Sequence, residues 1–247
     1  RTTQYAIRIT FHEPYMPYHG KRLIGLTGNI ACGKSTVLRQ VRELGAYTID
    51  ADMLIHAILR KGEPAYWPVI TEFGPGILDA EGEIDRRALG RIVFADPERL
   101  RKLEEIEHPI VRRVIDQEIG DAQEPVVALD AIKLIESGWA DKCDVVWAVT
   151  CPRDQQIERL MQTRGYTPEE AEMRIGSQST QEEKVRRANV VIDNAGTLED
   201  LHRQVLEAWE AVKTRDQGPG IRGQKSDDKE QAAEPEVQDA GVEVVDQ

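Results

Sequence analysis

Short apolar segments alternate along the chain with longer segments in which hydrophobic residues recur at helical spacing. The apolar segments are continuous rather than mixed with polar residues, which is typical of parallel strands buried on both faces of a sheet. We predict five strands, at residues 23–27, 46–49, 126–129, 145–150 and 190–192. Helices are predicted at 35–44, 97–119 and 197–212, among others. Strands that alternate with helices indicate an α/β fold with a doubly wound, parallel, five-stranded sheet.

The sequence between the second and third predicted strands is unusually long. About 75 residues, mostly with a helical pattern, separate these strands, and this exceeds the length of one crossover connection. We therefore expect an inserted helical substrate subdomain, about 58–118. It should lie above the carboxyl ends of the strands, where ligands bind in such sheets.

The two chain ends differ in composition from the predicted folded body, 21–213. Residues 1–20 form an N-terminal extension with weak alternation around 5–11, which is compatible with one additional strand. Residues 214–247 are rich in Gly, Pro, Gln and acidic residues and contain no aromatic residue. Such a segment cannot bury enough apolar surface to offset its conformational entropy, so we predict a disordered acidic tail.

The strongest motif follows the first predicted strand. The sequence Gly28-Asn-Ile-Ala-Cys-Gly33-Lys34-Ser35 matches the phosphate-loop pattern G-x-x-x-x-G-K-[ST], with a strand before it and a helix after it. The glycines allow backbone N–H groups to point inward, and the helix N-terminus adds positive potential at the same point. Lys34 is expected to reach the β- and γ-phosphates of ATP, and the Ser35 hydroxyl to bind Mg²⁺. The predicted ATP-binding residues of this motif are Gly28, Asn29, Ile30, Ala31, Cys32, Gly33, Lys34, Ser35 and Thr36.

Acidic residues at two strand ends are candidates for the chemistry. Asp50 and Asp52 follow the second predicted strand, where a carboxylate can accept the proton of an attacking hydroxyl. The alternative is that one of them caps the helix that begins near residue 51. Asp50 fits the cap better, so we predict Asp52 as the catalytic base. Asp130 ends the third strand like a Walker-B aspartate, and it either holds Mg²⁺ through water or acts only as a cap.

The arginine-containing segment 164–187 predicts a helical lid. Arg164 and Gly165 form a candidate hinge, and the run Thr167-Pro-Glu-Glu170 has the pattern of a helix start. A lid that closes over ATP excludes water and brings positive charge to the phosphates. For any single arginine the alternative is a solvated helix face. We predict functional roles for Arg159, as a catalytic residue, and for Arg164, in the lid.

Composition narrows the class of protein. The net charge of −12 argues against nucleic-acid binding, and no apolar run approaches the ~18 residues of a membrane span. Three cysteines without CxxC spacing favour a reducing, cytoplasmic location. Cys32, at a helix N-terminus, either has a lowered thiol pKa or simply replaces a serine. We expect no nucleic-acid or membrane partner and a monomer or weak homo-oligomer.

Seven ordered sequence blocks resemble the dephospho-CoA kinase family. They read LTGNIACGKSTV, LGAYTIDADMLIH, FGPGILDAEGEIDRRALGRIVF, LEEIEHPIVRR, CPRDQQIERLMQTRG, MRIGSQ and ANVVIDNAG, and they span about 23–212. The resemblance implies a P-loop fold like that of nucleoside monophosphate kinases, with a CoA-binding helical domain and a lid. It also implies ATP-dependent phosphorylation of the ribose 3′-hydroxyl of dephospho-CoA, the last step of coenzyme A synthesis.

The same resemblance implies roles for individual positions. Asp52 matches the proposed base of the family. Arg86 and His108 match residues that contact the acceptor substrate. Arg159 and Arg164 match arginines before and at the lid, and Asn194 matches a position near the adenine pocket. From the residues alone, His56 and His108 are not at metal-ligand spacing with any partner. A histidine in such a position is more often a packed or hydrogen-bonding residue than a catalytic one.

The chain departs from the family pattern in three places. Asn29, Ala31 and Cys32 stand where the phosphate loop of the family usually has Gly, Gly and Ser, and they keep the loop small. Residues 131–136 read Ala-Ile-Lys-Leu-Ile-Glu, whereas the family usually has Pro-Leu-Leu-x-Glu. Lys133 in this run either contacts the phosphate of the acceptor or extends to solvent. Both ends of the chain extend beyond the family core.

Two other functions are compatible with the motifs. One is a related P-loop kinase with a nucleoside or nucleotide acceptor, and the other is a non-catalytic nucleotide-binding module that docks partners through the acidic tail. The IDRRAL and HP blocks favour dephospho-CoA as the acceptor. Intact Lys34, Ser35 and Asp52 speak against a loss of catalysis.

Overall fold

The computed structural model describes residues 18–214. The strand considered around residues 5–11 lies outside these residues. So does the predicted disordered tail, apart from Thr214, which ends the last helix instead of beginning the tail.

A five-stranded, all-parallel sheet forms the centre of the molecule, with strand order β2-β3-β1-β4-β5. This confirms the predicted sheet, and each predicted strand is found with its ends moved by no more than one residue. Four of the strands gain one polar residue at an end, such as Arg22 or Asp130, because the ladder continues beyond the apolar run. The strands are β1 (Arg22–Thr27), β2 (Tyr47–Asp50), β3 (Val126–Asp130), β4 (Val145–Thr150) and β5 (Val190–Asp193).

Helices connect the strands and flank the sheet. The connection from β2 to β3 contains four helices, α2 to α5, where the sequence predicts an inserted helical subdomain. That these helices bind the substrate stays a prediction. The α-helices are α1 (Lys34–Glu43), α2 (Ala51–Ile58), α3 (Tyr66–Phe73), α4 (Arg86–Val93), α5 (Pro97–Asp121), α6 (Arg153–Arg164), α7 (Pro168–Gly176), α8 (Gln181–Arg187) and α9 (Leu198–Thr214).

Two apolar cores lie on opposite faces of the sheet. Adjacent residues of β1 belong to different cores. Leu23 lies in the core that includes α2 to α5, and Ile24 lies in the core that includes α1 and α9. Burial on both faces explains why the strands are apolar without alternation. Within residues 18–214, no helix is long and apolar enough to cross a membrane.

Local signals in the sequence fix several helix ends. Gly45, with φ of 104°, follows the end of α1, a backbone conformation that favours glycine. Thr197 and Asp200 bond reciprocally at the start of α9, because each side chain accepts the other's backbone N–H. The His108-Pro109 pair does not end a helix, since α5 continues through Pro109 to Asp121.

Candidate active site

The phosphate loop connects β1 to α1 at the carboxyl end of the sheet. Gly28 has φ of 150°, and a Cβ atom there would lie 2.4 Å from the Val149 carbonyl oxygen. Gly33 has φ of 100°, and a Cβ atom there would lie 2.1 Å from Asn194 Nδ2. Both glycines of the motif are therefore required by close approach as well as by backbone conformation.

The start of α1 leaves its first backbone N–H groups available to a ligand. Its N-cap residue, Gly33, is in the left-handed conformation and offers no side-chain cap, and the first turn contains no acidic residue. Lys34 and Ser35 are the first two residues of this helix. Uncapped N–H groups, the helix dipole and a lysine together favour a phosphate group at this point.

Cys32 is a buried packing residue of the loop. Its side chain is fully buried, and burial raises the pKa of its thiol, with Lys34 acting in the opposite direction. The alternative of a lowered thiol pKa is therefore wrong, because desolvation outweighs the nearby positive charge.

Arg159 and Asn194 support the loop from the side of β5. Arg159 Nη1 donates to the Ala31 carbonyl oxygen at 3.2 Å, and Nη2 donates to the Asn194 carbonyl oxygen at 2.9 Å. The Asn194 amide donates to the Cys32 carbonyl oxygen at 2.8 Å. The structure thus brings both predicted residues to the phosphate loop, with the Arg159 guanidinium fixed by backbone oxygens.

The linker between α7 and α8, within the predicted lid segment 164–187, also contacts the loop, a contact that the sequence did not predict. Gln178 Oε1 accepts the Ile30 N–H at 2.9 Å, and the Ser179 carbonyl oxygen accepts from Asn29 Nδ2 at 3.2 Å. Gln178 belongs to the MRIGSQ block, which was the only sequence signal for this contact. The linker therefore holds the strand-proximal half of the loop.

Asp50 takes the capping role that its position predicts, and the role of Asp52 as a base stays a prediction. Asp50 caps α2, since its carboxylate accepts the Met53 N–H at 3.0 Å. Asp52 is exposed in the first turn of α2, yet the surrounding protein raises the pKa of its carboxyl by desolvation. Among the nearby charges, Lys34 lowers that pKa most, so Asp52 interacts electrostatically with the phosphate-loop lysine.

Asp130 lies at the end of β3, opposite Asp50 in the sheet register. Its carboxyl is buried, and Oδ1 accepts no hydrogen bond from residues 18–214. Burial raises its pKa to about 7, with Lys34 lowering it and both Asp50 and Asp52 raising it further. A buried carboxylate oxygen without a donor, near Lys34, fits a water-mediated Mg²⁺ ligand better than a helix cap. Across the described part of the chain, no group of three or more His, Cys, Asp or Glu side chains could hold a metal ion alone.

The charge state of His56 depends on both Arg86 and Asp52. His56 is partly buried, and desolvation lowers its pKa, followed by the positive charge of Arg86. Asp52 and Asp50 act on the same histidine in the opposite direction. The predicted acceptor residue Arg86 and the predicted base Asp52 therefore act on the same histidine with opposite charge.

The Lys133 side chain forms an ion pair with α5, although most of the side chain is exposed to solvent. Its ammonium lies 2.7 Å from Glu104 Oε1, while 65% of its side chain stays exposed. Glu107, one turn along α5, is only 7% exposed, and burial raises its pKa to about 7. Glu104 raises that pKa further and Lys133 lowers it. His108, the predicted acceptor residue next to Glu107, is exposed on α5.

The predicted lid begins at a well-defined helix end. The helix α6 ends at Arg164, and Gly165 adopts φ of 66°. Thr167 then caps α7 in a capping box with Glu170, as the sequence predicts. Arg164 is exposed at this junction, and its action on ATP stays a prediction.

Comparisons with known proteins agree on one family. Residues 22–200 match the family model described as dephospho-CoA kinase. A relative of that name from Symbiobacterium thermophilum is 47% identical over 194 residues, covering 77% of this chain and 81% of the relative. Another from Aquifex aeolicus is 47% identical over 194 residues, covering 78% of this chain and 98% of the relative.

Solved structures share the same architecture. A crystal structure from Thermus thermophilus aligns with a TM-score of 0.70 and 37% identity, covering 77% of this chain and 97% of its own. A dephospho-CoA kinase structure from Campylobacter jejuni aligns with a TM-score of 0.59 and 28% identity, covering 79% of this chain and 99% of its own.

Proposed function

The chain belongs to the dephospho-CoA kinase family, and we propose that its phosphate loop and Asp52 carry out the reaction of that family. It is a kinase that phosphorylates dephospho-CoA with ATP, the final step of coenzyme A biosynthesis. The acceptor oxygen is the ribose 3′-hydroxyl, and the products are CoA and ADP. The single observation that supports the assignment of roles is the electrostatic interaction of Asp52, in the first turn of α2, with Lys34, in the first turn of α1.

The nucleotide is held by the phosphate loop. The N–H groups at the start of α1 bind the phosphates, and Lys34 neutralises charge on the β- and γ-phosphates as the transfer proceeds. The remaining ATP contacts come from Thr36 at α1 and from Asn194 beside the loop. Arg159, fixed on Ala31 and Asn194, adds positive charge at the edge of the loop.

Asp52 acts as the general base. The 3′-oxygen attacks the γ-phosphorus, its proton passes to the Asp52 carboxylate, and the bond to the β–γ bridging oxygen breaks to release ADP. Burial raises the pKa of the Asp52 carboxyl, which makes its carboxylate a stronger base, and Lys34 opposes this shift.

The acceptor lies between α2, α4 and α5. Arg86, His108 and Lys133 provide positive or polar groups for dephospho-CoA, and Lys133 exchanges Glu104 for a phosphate of the acceptor. Arg164 contributes to closure of the lid over ATP.

Mg²⁺ is the metal that we propose for this site. When bound, it neutralises the phosphate oxygens and orients them for transfer. The Ser35 hydroxyl, and Asp130 through water, would hold it. The unpaired, buried Oδ1 of Asp130 supports this choice.

We also propose a cytoplasmic location and a monomeric or weakly associated state. Support for the location comes from Cys32, Cys143 and Cys151, which are all free thiols. Analytical ultracentrifugation of the full chain tests the oligomeric state, since a stable dimer at micromolar concentration would contradict it.

The deciding experiment measures ADP release with Mg·ATP and dephospho-CoA for wild type, Asp52→Asn and Asp50→Asn. Loss of a general base typically lowers kcat by about 10²- to 10⁴-fold, so Asp52→Asn should show that loss with ATP affinity retained. Asp50→Asn keeps a cap residue on α2 and should lose far less. Equal loss in both variants would refute the role of Asp52. No turnover of wild type with dephospho-CoA would refute the acceptor.

A further inference from the structure

Lys184 is a fully buried lysine outside the site described so far. It lies on α8 within QEEKVRR, a sequence typical of an exposed charged helix, yet only 1% of its side chain is exposed. Its ammonium donates to the Ile132 carbonyl oxygen at 2.7 Å and lies 3.6 Å from Glu136 Oε1. A buried ammonium is costly unless it is well paired, so these two contacts define its role in the fold.

The carbonyl group of Ile132 links two parts of the active site. Ile132 follows Asp130 by two residues, in the turn after β3. The same oxygen also accepts from the Thr27 hydroxyl at 3.2 Å, and Thr27 immediately precedes Gly28 of the phosphate loop. The Lys184 ammonium therefore lies where the β1 end and the β3 turn meet.

A second path leads from Lys184 to the loop through Glu136. The Ser179 hydroxyl donates to Glu136 Oε1 at 2.6 Å. The Ser179 carbonyl oxygen accepts from Asn29, and its neighbour Gln178 accepts the Ile30 N–H. One carboxylate thus connects the buried ammonium to the linker that holds the phosphate loop.

We propose that Lys184 is a positioning residue for ATP. Its ammonium fixes the β3 turn and, through Glu136 and Ser179, keeps the α7–α8 linker against the phosphate loop. This arrangement holds the loop in its anion-binding conformation before the nucleotide arrives, and it places a fixed positive charge behind the loop. The proposal rests on ATP being the nucleotide of the proposed function.

Equilibrium titration with a non-hydrolysable ATP analogue, without acceptor, tests this role in Lys184→Met. Methionine keeps most of the buried volume but removes the donor. Loss of one charge-assisted hydrogen bond should weaken nucleotide binding about ten- to a hundredfold. The affinity for dephospho-CoA should fall less than the affinity for the analogue, because the path through Glu136 and Ser179 leads to the phosphate loop. Lys213→Met, an exposed lysine on α9, is the matched control and should bind both ligands as wild type does.

Ser179→Ala keeps the experiment decisive if Lys184→Met does not fold. It removes only the hydroxyl that reaches Glu136 and should weaken nucleotide binding about three- to tenfold, with an unchanged melting temperature. If both variants fold, the double variant should lose less than the product of the two single losses, since both act through Glu136.

Unchanged nucleotide affinity in a folded Lys184→Met protein would overturn the proposal, as would an equal loss for both ligands. If Lys184→Met does not fold, unchanged affinity in Ser179→Ala overturns it. These outcomes are separate from the acceptor assignment, because nucleotide binding is measured without dephospho-CoA. A wild type that binds the analogue but does not turn over dephospho-CoA would refute the proposed acceptor alone.

Discussion

Glu107 should make the stability of this protein fall as the pH rises. Its carboxyl is 7% exposed on α5, and burial raises its pKa from 4.5 to about 7. A carboxyl whose pKa is raised by folding binds protons more tightly in the folded state. Its contribution is therefore fully present below the unfolded pKa of 4.5 and is lost as the pH rises through about 7.

The magnitude follows from the two pKa values. Compared with a neutral side chain at this position, Glu107 should lower the free energy of unfolding by less than about 1 kcal/mol at about pH 5. At about pH 8 it should lower the free energy of unfolding by about 3 kcal/mol. The free energy of unfolding of Glu107→Gln relative to wild type should therefore grow by about 2 to 3 kcal/mol between these pH values. Any constant cost of burying the amide cancels in this difference, as does the titration of Asp130, which is common to both proteins.

The assay is urea denaturation of wild type and Glu107→Gln at both pH values, with thermal melts as a second readout. For a domain of this size the relative melting temperature should shift by about 5–10 °C between them. Glu105→Gln is the control, because Glu105 is exposed on the same helix and pairs with Arg101. Its effect should stay within about 0.5 kcal/mol at both pH values. If the stability difference between Glu107→Gln and wild type is the same at both pH values, the argument that burial raises the pKa of Glu107 is refuted.

Two further predictions concern the ligand sites. Gly33→Ala should weaken ATP binding more than about tenfold in a nucleotide titration, because its Cβ atom would lie 2.1 Å from Asn194 Nδ2. Gly45→Ala has a similar positive φ but open space around its Cβ atom, so an equal loss of ATP affinity there would contradict the steric argument. Lys133→Met should raise KM for dephospho-CoA about tenfold and leave KM for ATP unchanged, in steady-state kinetics with each substrate varied. An unchanged KM for dephospho-CoA would show that Lys133 does not bind the acceptor and only forms its ion pair with Glu104 of α5.

Much of the fold could be predicted because its signals are local. Continuous apolar runs mark strands buried on both faces, and the phosphate-loop motif requires a strand, a turn and a helix in sequence. The caps at Asp50, Thr167 and Thr197 are formed by residues three positions apart or fewer, so their patterns were readable directly. The sequence also established the family, since its ordered blocks cover most of the described chain.

The burial of individual charged residues was decided by tertiary structure alone. Lys184 reaches Ile132 across 52 positions of sequence, and Asn29 reaches Ser179 across 150. No local pattern encodes such contacts, because helix periodicity gives the face on which a residue lies but not what packs against it. The same limit applies to Cys32, whose thiol pKa depends on whether burial or nearby positive charge prevails. The sequence by itself therefore determined the elements, the phosphate loop and the reaction class. The tertiary structure determined which charged side chains are buried, and therefore which residues hold the phosphate loop in place.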